Sequence, residues 1–177
     1  MTDEEPTILS EYLAGVPSEQ YGACHQNHVL EIYRIYLEMA DRISARRENA
    51  NSFFLTLNTA VVGFVGYLVG TDKVSPADPW LLFIAVSGAV LSYLWYRIIR
   101  SYKGLNSAKF RVVHEIELLL PLRPYKAEWE SVGRGKNPKL YLPFTDVEIF
   151  VPWVFLVMHI LVALRVVLGP RLACLIA

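Results

Sequence analysis

Residues 41–70 read DRISARRENANSFFLTLNTAVVGFVGYLVG. Arg42, Arg46 and Arg47, followed by Asn49 and Asn51, run straight into an apolar segment that itself carries Ser52, Thr56, Asn58 and Thr59. A helix needs about 20 apolar residues to cross the roughly 30 Å hydrocarbon layer, and residues 53–70 come close to that length. Within them Ser52, Thr56, Thr59, Gly63, Gly66 and Gly70 recur at steps of four and three, tracing one stripe of small residues, with Asn51 and Asn58 beside it. Lipid supplies no hydrophobic drive between helices, so association depends on close backbone approach over small residues and on polar groups bonding across the contact. The stripe therefore reads as a packing seam. It serves either the contact with the next helix of the same chain or, notably at Asn58, a neighbouring subunit or an aqueous centre. An asparagine in lipid needs a partner in both cases.

Residues 79–99 form a second apolar block, with a small face of Ala85, Gly88, Ala89 and Ser92, and residues 150–168 form a third. The first two are joined by TDKVSPADP, whose Asp, Ser and Pro residues are turn chemistry, so a helical hairpin is expected. Basic residues cluster at its outer ends: Arg42, Arg46 and Arg47 before the first block, and Arg97, Arg100, Lys103, Lys109 and Arg111 after the second. The turn offers Lys73 against Asp72 and Asp78. The positive-inside trend then puts the N-terminus and the middle of the chain in the cytoplasm. In TDVEIFVPW, Thr145 and Glu148 have capping-box spacing and Pro152 is tolerated in the first turn of the third helix. If that helix spans, Arg171 in the tail runs mildly against the trend, and Cys24 and Cys174 lie on opposite sides.

Composition agrees with a membrane protein. The 177 residues are 54% hydrophobic, with a mean hydropathy of +0.32, and the apolar residues are gathered into blocks. The balance of 17 basic and 17 acidic side chains points neither to nucleic acid nor to an acidic substrate. The acidic opening MTDEEPTILSEYLAG does not read as a secretory signal, and two distant cysteines make no disulfide framework.

Both hairpin helices outlast a bilayer. Upstream, Ile32, Tyr36, Met39 and Ile43 recur between charged residues, with no Pro or Gly over 28–62. Downstream, Ile98, Tyr102, Leu105, Val112 or Val113, Ile116 and Leu119 or Leu120 recur until Pro121, with Gly104 a weak point. Two such cytoplasmic helices bury little surface alone, so further copies of the chain are expected to complete a bundle. The resulting organisation is a polar segment over 1–27, a cytoplasmic helix continuing into the membrane over 28–70, a turn over 71–78, the returning helix over 79–120, a basic loop over 121–148, and a third helix with a short tail over 149–177.

Chemistry-bearing residues are sparse. His25 and His28 sit three apart beside Cys24 and Glu31, a spacing that could seat a metal if His114 joined them. A solvated helix start is the simpler reading, and neither a metal nor a cofactor is expected. His159 lies midway along the third block, where an ionisable group raises a proton relay or ion path against a neutral imidazole bonded to a neighbouring helix; Arg165 can snorkel. Arg134, Lys136 and Lys139 form a basic loop suited to anionic headgroups or an anionic ligand, without the spacing of a phosphate-binding loop. Trp129, Tyr141 and Trp153 suit the interface. No nucleophile elbow, zincin motif or paired Cys-x-x-Cys is present, and no Arg precedes a His as a HEPN-type RNase requires. No enzyme is expected.

The strings YLEMADRISARRENANSFFLTLNTAVVGFVGYL, YLWYRIIRSYKGLNSAKFRVVHEIE and GRGKNPKLYLPFTDVEIFVPWVF together resemble the RipA-type octameric membrane proteins of bacteria, over roughly residues 30–160. The resemblance implies an inner-membrane homo-octamer and carries no catalytic residues to transfer. A weaker, purely architectural similarity is to the two-helix SLATT membrane effectors. The expected protein is all-α: a transmembrane hairpin extended into long cytoplasmic helices, with a third apolar helix, assembled as a homo-oligomeric ring. Its expected role is a membrane scaffold or stress-related interaction protein whose partners are other copies of itself and lipid, not nucleic acid. The alternative is a ligand-gated channel or membrane-disrupting effector.

Overall fold

The computed structural model describes residues 5–13, 15–141 and 147–176, with the side chains of 5–8 and 170–176 outside the description. Its elements are α1 (Glu5–Leu13), α2 (Ser18–Tyr21), α3 (His25–Gly70), α4 (Pro79–Ile116), a 3₁₀ turn (Glu117–Leu119), α5 (Pro124–Ser131), a second 3₁₀ turn (Gly133–Gly135) and α6 (Phe150–Ile176). No strand occurs among the described residues, in agreement with the all-α expectation.

The lengths of α3 and α4 follow from what stops them. α3 runs for 46 residues, about 69 Å at 1.5 Å per residue, and meets no proline. It ends in a Schellman motif: the Lys73 amide donates to the Leu68 carbonyl at 3.1 Å and the Asp72 amide to that of Val69 at 3.3 Å, with Asp72 at φ 52°. Asp78 then caps α4, accepting the Trp80 amide on its carboxylate at 2.9 Å, while Pro79 takes the first helical position. α4 runs for 38 residues through Gly104. It passes into the 3₁₀ turn, which stops where Leu120, preceding Pro121, is held extended at φ −105°, ψ 155°.

The chain divides into two compact units. The first comprises Met1–Arg46 and Tyr102–Pro143, and the second Arg47–Ser101 and Phe144–Ala177, so α3 and α4 each contribute a segment to both. In the first unit the core is Tyr33, Val113 and Ile116, against which Leu13, Val29, Tyr36, Leu37, Leu120 and Tyr125 pack. This corrects the expected apolar stripe of α3 in part: Tyr36 packs on the core, but Ile32 and Met39 are exposed, and the other inward positions are Val29, Tyr33, Leu37 and Ala40. Downstream, the expected Val113, Ile116 and Leu120 pack, while Leu105 and Leu119 are exposed. The α3 segment is apolar on more than one face, so periodicity alone offered two stripes about 100° apart.

The first unit also buries charge. Glu117 is 0% exposed and accepts three hydrogen bonds, from the Tyr33 hydroxyl at 3.0 Å and from the Tyr125 and Lys126 amides at 2.9 and 3.0 Å. Those amides belong to the first turn of α5, whose own cap residue, Arg123, provides no side-chain bond. A carboxylate seven residues upstream thus caps the helix and completes its positive end. Lys109, 8% exposed, lays its ammonium 4.4 Å from the centre of the Tyr36 ring.

The second unit holds the membrane-crossing material. Three helices are long and apolar enough to span, His25–Gly70, Pro79–Leu119 and Phe150–Gly169. Of the most apolar window of each, only 6%, 28% and 17% is buried within the chain, which leaves most of that surface for lipid or other copies. What is buried follows a heptad-like seam: Leu81, Ala85, Gly88, Ser92, Trp95 and Ile99 on α4, Asn58 on α3, and Pro152, His159 and Val166 on α6.

Candidate functional site: a polar seam inside the spanning unit

The seam is polar at its middle because three helices place Asn58, Ser92 and His159 at one level. Asn58 reaches back along α3, donating its amide to the Phe54 carbonyl at 2.9 Å. That commits the nitrogen and leaves Oδ1 as the acceptor for the Ser92 hydroxyl at 2.9 Å and for His159 Nε2 at 3.2 Å. The imidazole is therefore the Nε2–H tautomer. Ser92 Oγ also lies 2.9 Å from the Gly88 carbonyl, so its single proton is shared. His159 can approach only because position 88 carries no side chain: a Cβ there would fall within contact of Cε1, Nδ1 and Nε2 together, over the ring face. One level away, Trp95 Nε1 donates to Asn51 Oδ1 at 2.9 Å, and Trp95 stacks on Phe54 at 6.0 Å. Nearer the start of α6, Arg47 and Glu148, both largely buried, pair at 3.6 Å. Glu148 thus binds a cation on α3; Thr145, its expected capping partner, lies outside the described residues.

The small-residue stripe lies elsewhere. Ser52, Thr56, Thr59, Gly63, Gly66 and Gly70 are all exposed, and a Cβ added at Gly63, Gly66 or Gly70 would meet nothing within 4 Å. This corrects the reading in which the stripe holds the hairpin together. It is offset by one residue, about 100° of helix rotation, from the Asn51, Asn58 and Val65 positions that turn inward. Asn58, for which the hairpin contact and a neighbour or water were both open, is bonded within its own chain. Gly88 and Ser92, from the second small face, are buried at the same three-helix contact.

The other candidates stay apart from this seam. Arg134 sits in a left-handed GRG turn, with φ of 65°, 55° and 66° over residues 133–135, and its Nε donates to both Glu130 oxygens at 2.9 and 2.8 Å; this pairing holds the Glu130 carboxyl below its usual range. Lys136 and Lys139 are exposed nearby. The Tyr21 hydroxyl lies 2.7 Å from His28 Nδ1, and the Tyr21 ring packs edge-on against both His25 and His28. Among the described residues no three His, Cys, Asp or Glu side chains form a metal-ligand group. Cys24 is exposed and free; the side chains of Arg171 and Cys174 lie outside the description.

The sequence profile of the octameric membrane protein family (8xMP) matches residues 30–168, a span that includes the apolar blocks 53–70, 79–99 and 150–168 and every member of the polar seam. The chain belongs to the octameric membrane protein family. Membership in this family agrees with the resemblance read from the sequence and makes the protein a membrane homo-oligomer. No curated protein and no solved structure matches it. The exposed stripe on α3 takes its meaning from that membership, since a chain that assembles must present a contact face. Sequence reasoning missed Glu117, Lys109 and Trp95 as buried polar partners. The heptad spacing of Trp95, Ile99, Lys109, Val113 and Ile116 along α4 was the signal that could have found Lys109.

Proposed function

We propose that the protein is a non-enzymatic scaffold of the bacterial inner membrane, with its N-terminus in the cytoplasm, whose copies associate through the small-residue stripe of α3. One observation carries this reading: Ser52, Thr56, Thr59, Gly63 and Gly66 are exposed, with open space over the glycines, while the asparagines beside them are turned inward and bonded. A face of this kind allows close backbone approach by a neighbouring helix. Orientation rests on the basic residues at the hairpin's outer ends, and the first unit then presents its exposed Ile32, Ile35 and Met39 to further copies or partners in the cytoplasm.

The stripe provides a clean test because added side chains meet nothing within the chain. Gly63→Leu and Gly66→Leu should lower the oligomer's order in native mass spectrometry while far-UV circular dichroism stays unchanged. An oligomer of unaltered mass in the double variant would refute the interface. The channel reading requires polar side chains around the assembly axis. Asn51 and Asn58 are occupied within the chain, so the exposed hydroxyls of Ser52, Thr56 and Thr59 are the groups that support it. Ion flux from liposomes, compared between wild type and a Ser52→Ala/Thr56→Val/Thr59→Val variant, separates the two: the scaffold reading expects no flux from either.

A further inference from the structure

The second unit holds a half-open cavity of about 230 Å³. Val62 and Val65 of α3, Ala85 of α4, and Met158, Leu161 and His159 of α6 line it. Met158 and Leu161 also carry exposed surface, so the cavity communicates with the outside of the three-helix bundle. An apolar cavity of about 150 Å³ already holds one benzene ring, so this one has room for a ring with a short substituent. An empty space of that size forfeits packing on every wall.

His159 is the polar exception in that wall. It is 3% exposed, and the bonds of Asn58 set its tautomer: Nε2 carries the proton and donates to Asn58 Oδ1. Nδ1 is left as a bare lone pair with no hydrogen-bond partner. Gly88 covers a face of the ring, and His159 is the polar side chain that lines the cavity. The other lining residues are Val, Ile, Ala, Leu and Met, so none carries a polar hydrogen, and hydrocarbon offers no water in their place. An unbonded acceptor on the polar side chain lining an apolar space of one-ring size calls for an apolar occupant with a single donor.

We propose that this cavity binds an apolar alcohol, best a phenol, whose hydroxyl donates to His159 Nδ1 while its hydrocarbon body fills the space between Val62, Val65 and Ala85. The donor requirement distinguishes such a ligand from a lipid acyl chain, and the volume distinguishes it from a sterol-sized molecule. Asn58 and Ser92 act as positioning residues, because they fix the tautomer that makes Nδ1 an acceptor.

The test uses the full-length oligomer in nanodiscs, with 4-ethylphenol and ethylbenzene as probes at matched bilayer concentrations and thermal stabilisation as the readout. Wild type should bind 4-ethylphenol about 3 to 10 times more tightly than ethylbenzene. His159→Leu removes the Nδ1 acceptor and leaves Asn58 Oδ1 bonded to the Ser92 hydroxyl, so the preference should vanish while the oligomer persists. Ala85→Leu fills the cavity and should abolish binding of both probes; Val65→Phe serves if that variant does not assemble. Equal affinity for the two probes, a preference that survives His159→Leu, or unchanged binding in the filled variant would each overturn the proposal. A tightly held acyl chain that 4-ethylphenol cannot displace would do the same.

Discussion

Gly88 shows how one absent methyl group organises a polar site. In an open helix position, Gly→Ala gains about 1 kcal/mol. At position 88 the new Cβ would meet the His159 ring, so Gly88→Ala is expected to cost about 2–3 kcal/mol. In the His159→Ala background most of that cost should disappear, giving a positive coupling in a double-mutant cycle measured by denaturation in detergent. Glu117 is the equivalent residue of the first unit. Glu117→Ala leaves the Tyr33 hydroxyl and two helix-start amides without their acceptor, and a loss of about 2–4 kcal/mol is expected. Glu117→Gln, which keeps an acceptor oxygen, should lose less than half as much. Neither role could be read from spacing, because position 117 falls in an apolar run and position 88 reads only as one more small residue.

At the scale of elements, the hairpin turn is held by its two ends. Asp78 accepts the Trp80 amide and stands immediately before Pro79, so Asp78→Ala should cost about 1 kcal/mol, seen as faster hydrogen exchange confined to the first turn of α4. That turn was legible in the sequence because Asp, Ser and Pro have local conformational preferences that act without the rest of the chain. The packed face of α3 was less legible. Along the first unit's part of α3, Leu30, Ile32, Ile35 and Met39 are as apolar as the residues that pack, and they are exposed. Periodicity finds an apolar stripe and cannot say which of two neighbouring stripes meets the partner helix. The stripe within the spanning segment repeats the lesson: spacing identified Ser52, Thr56, Gly63 and Gly66 as a seam, but their neighbours Asn51 and Asn58 took the contact inside the chain.

For the molecule as a whole, pH reports on the first unit. Burial, and then the charge of Lys126, lowers the His114 pKa, so the unfolded chain takes up that proton more readily. Stability present above about pH 6.5, the usual histidine value, should be lost as pH falls. Burial, and then the bond to Glu117, raises the Tyr33 pKa; here stability is present below about pH 10 and lost as pH rises above it. Chemical denaturation of the solubilised protein across pH 5–11 should therefore show a plateau between these limits, with His114→Gln flattening the acid side and Tyr33→Phe the alkaline side. A profile unchanged by either substitution would rule out these groups as its cause.

The sequence by itself determined the class of molecule, because hydrophobic blocks of bilayer length, turn residues between them and flanking basic residues are properties of composition and local order. It also carried the family, through long strings over most of the chain. The tertiary structure alone decided which face of each helix is used: that Asn58 meets Ser92 and His159, that Gly88 admits an imidazole, and that Glu117 caps a helix it does not belong to. The physical reason is that a one-residue shift rotates a helix face by about 100°, and only contacts between residues distant in the chain select among the rotations.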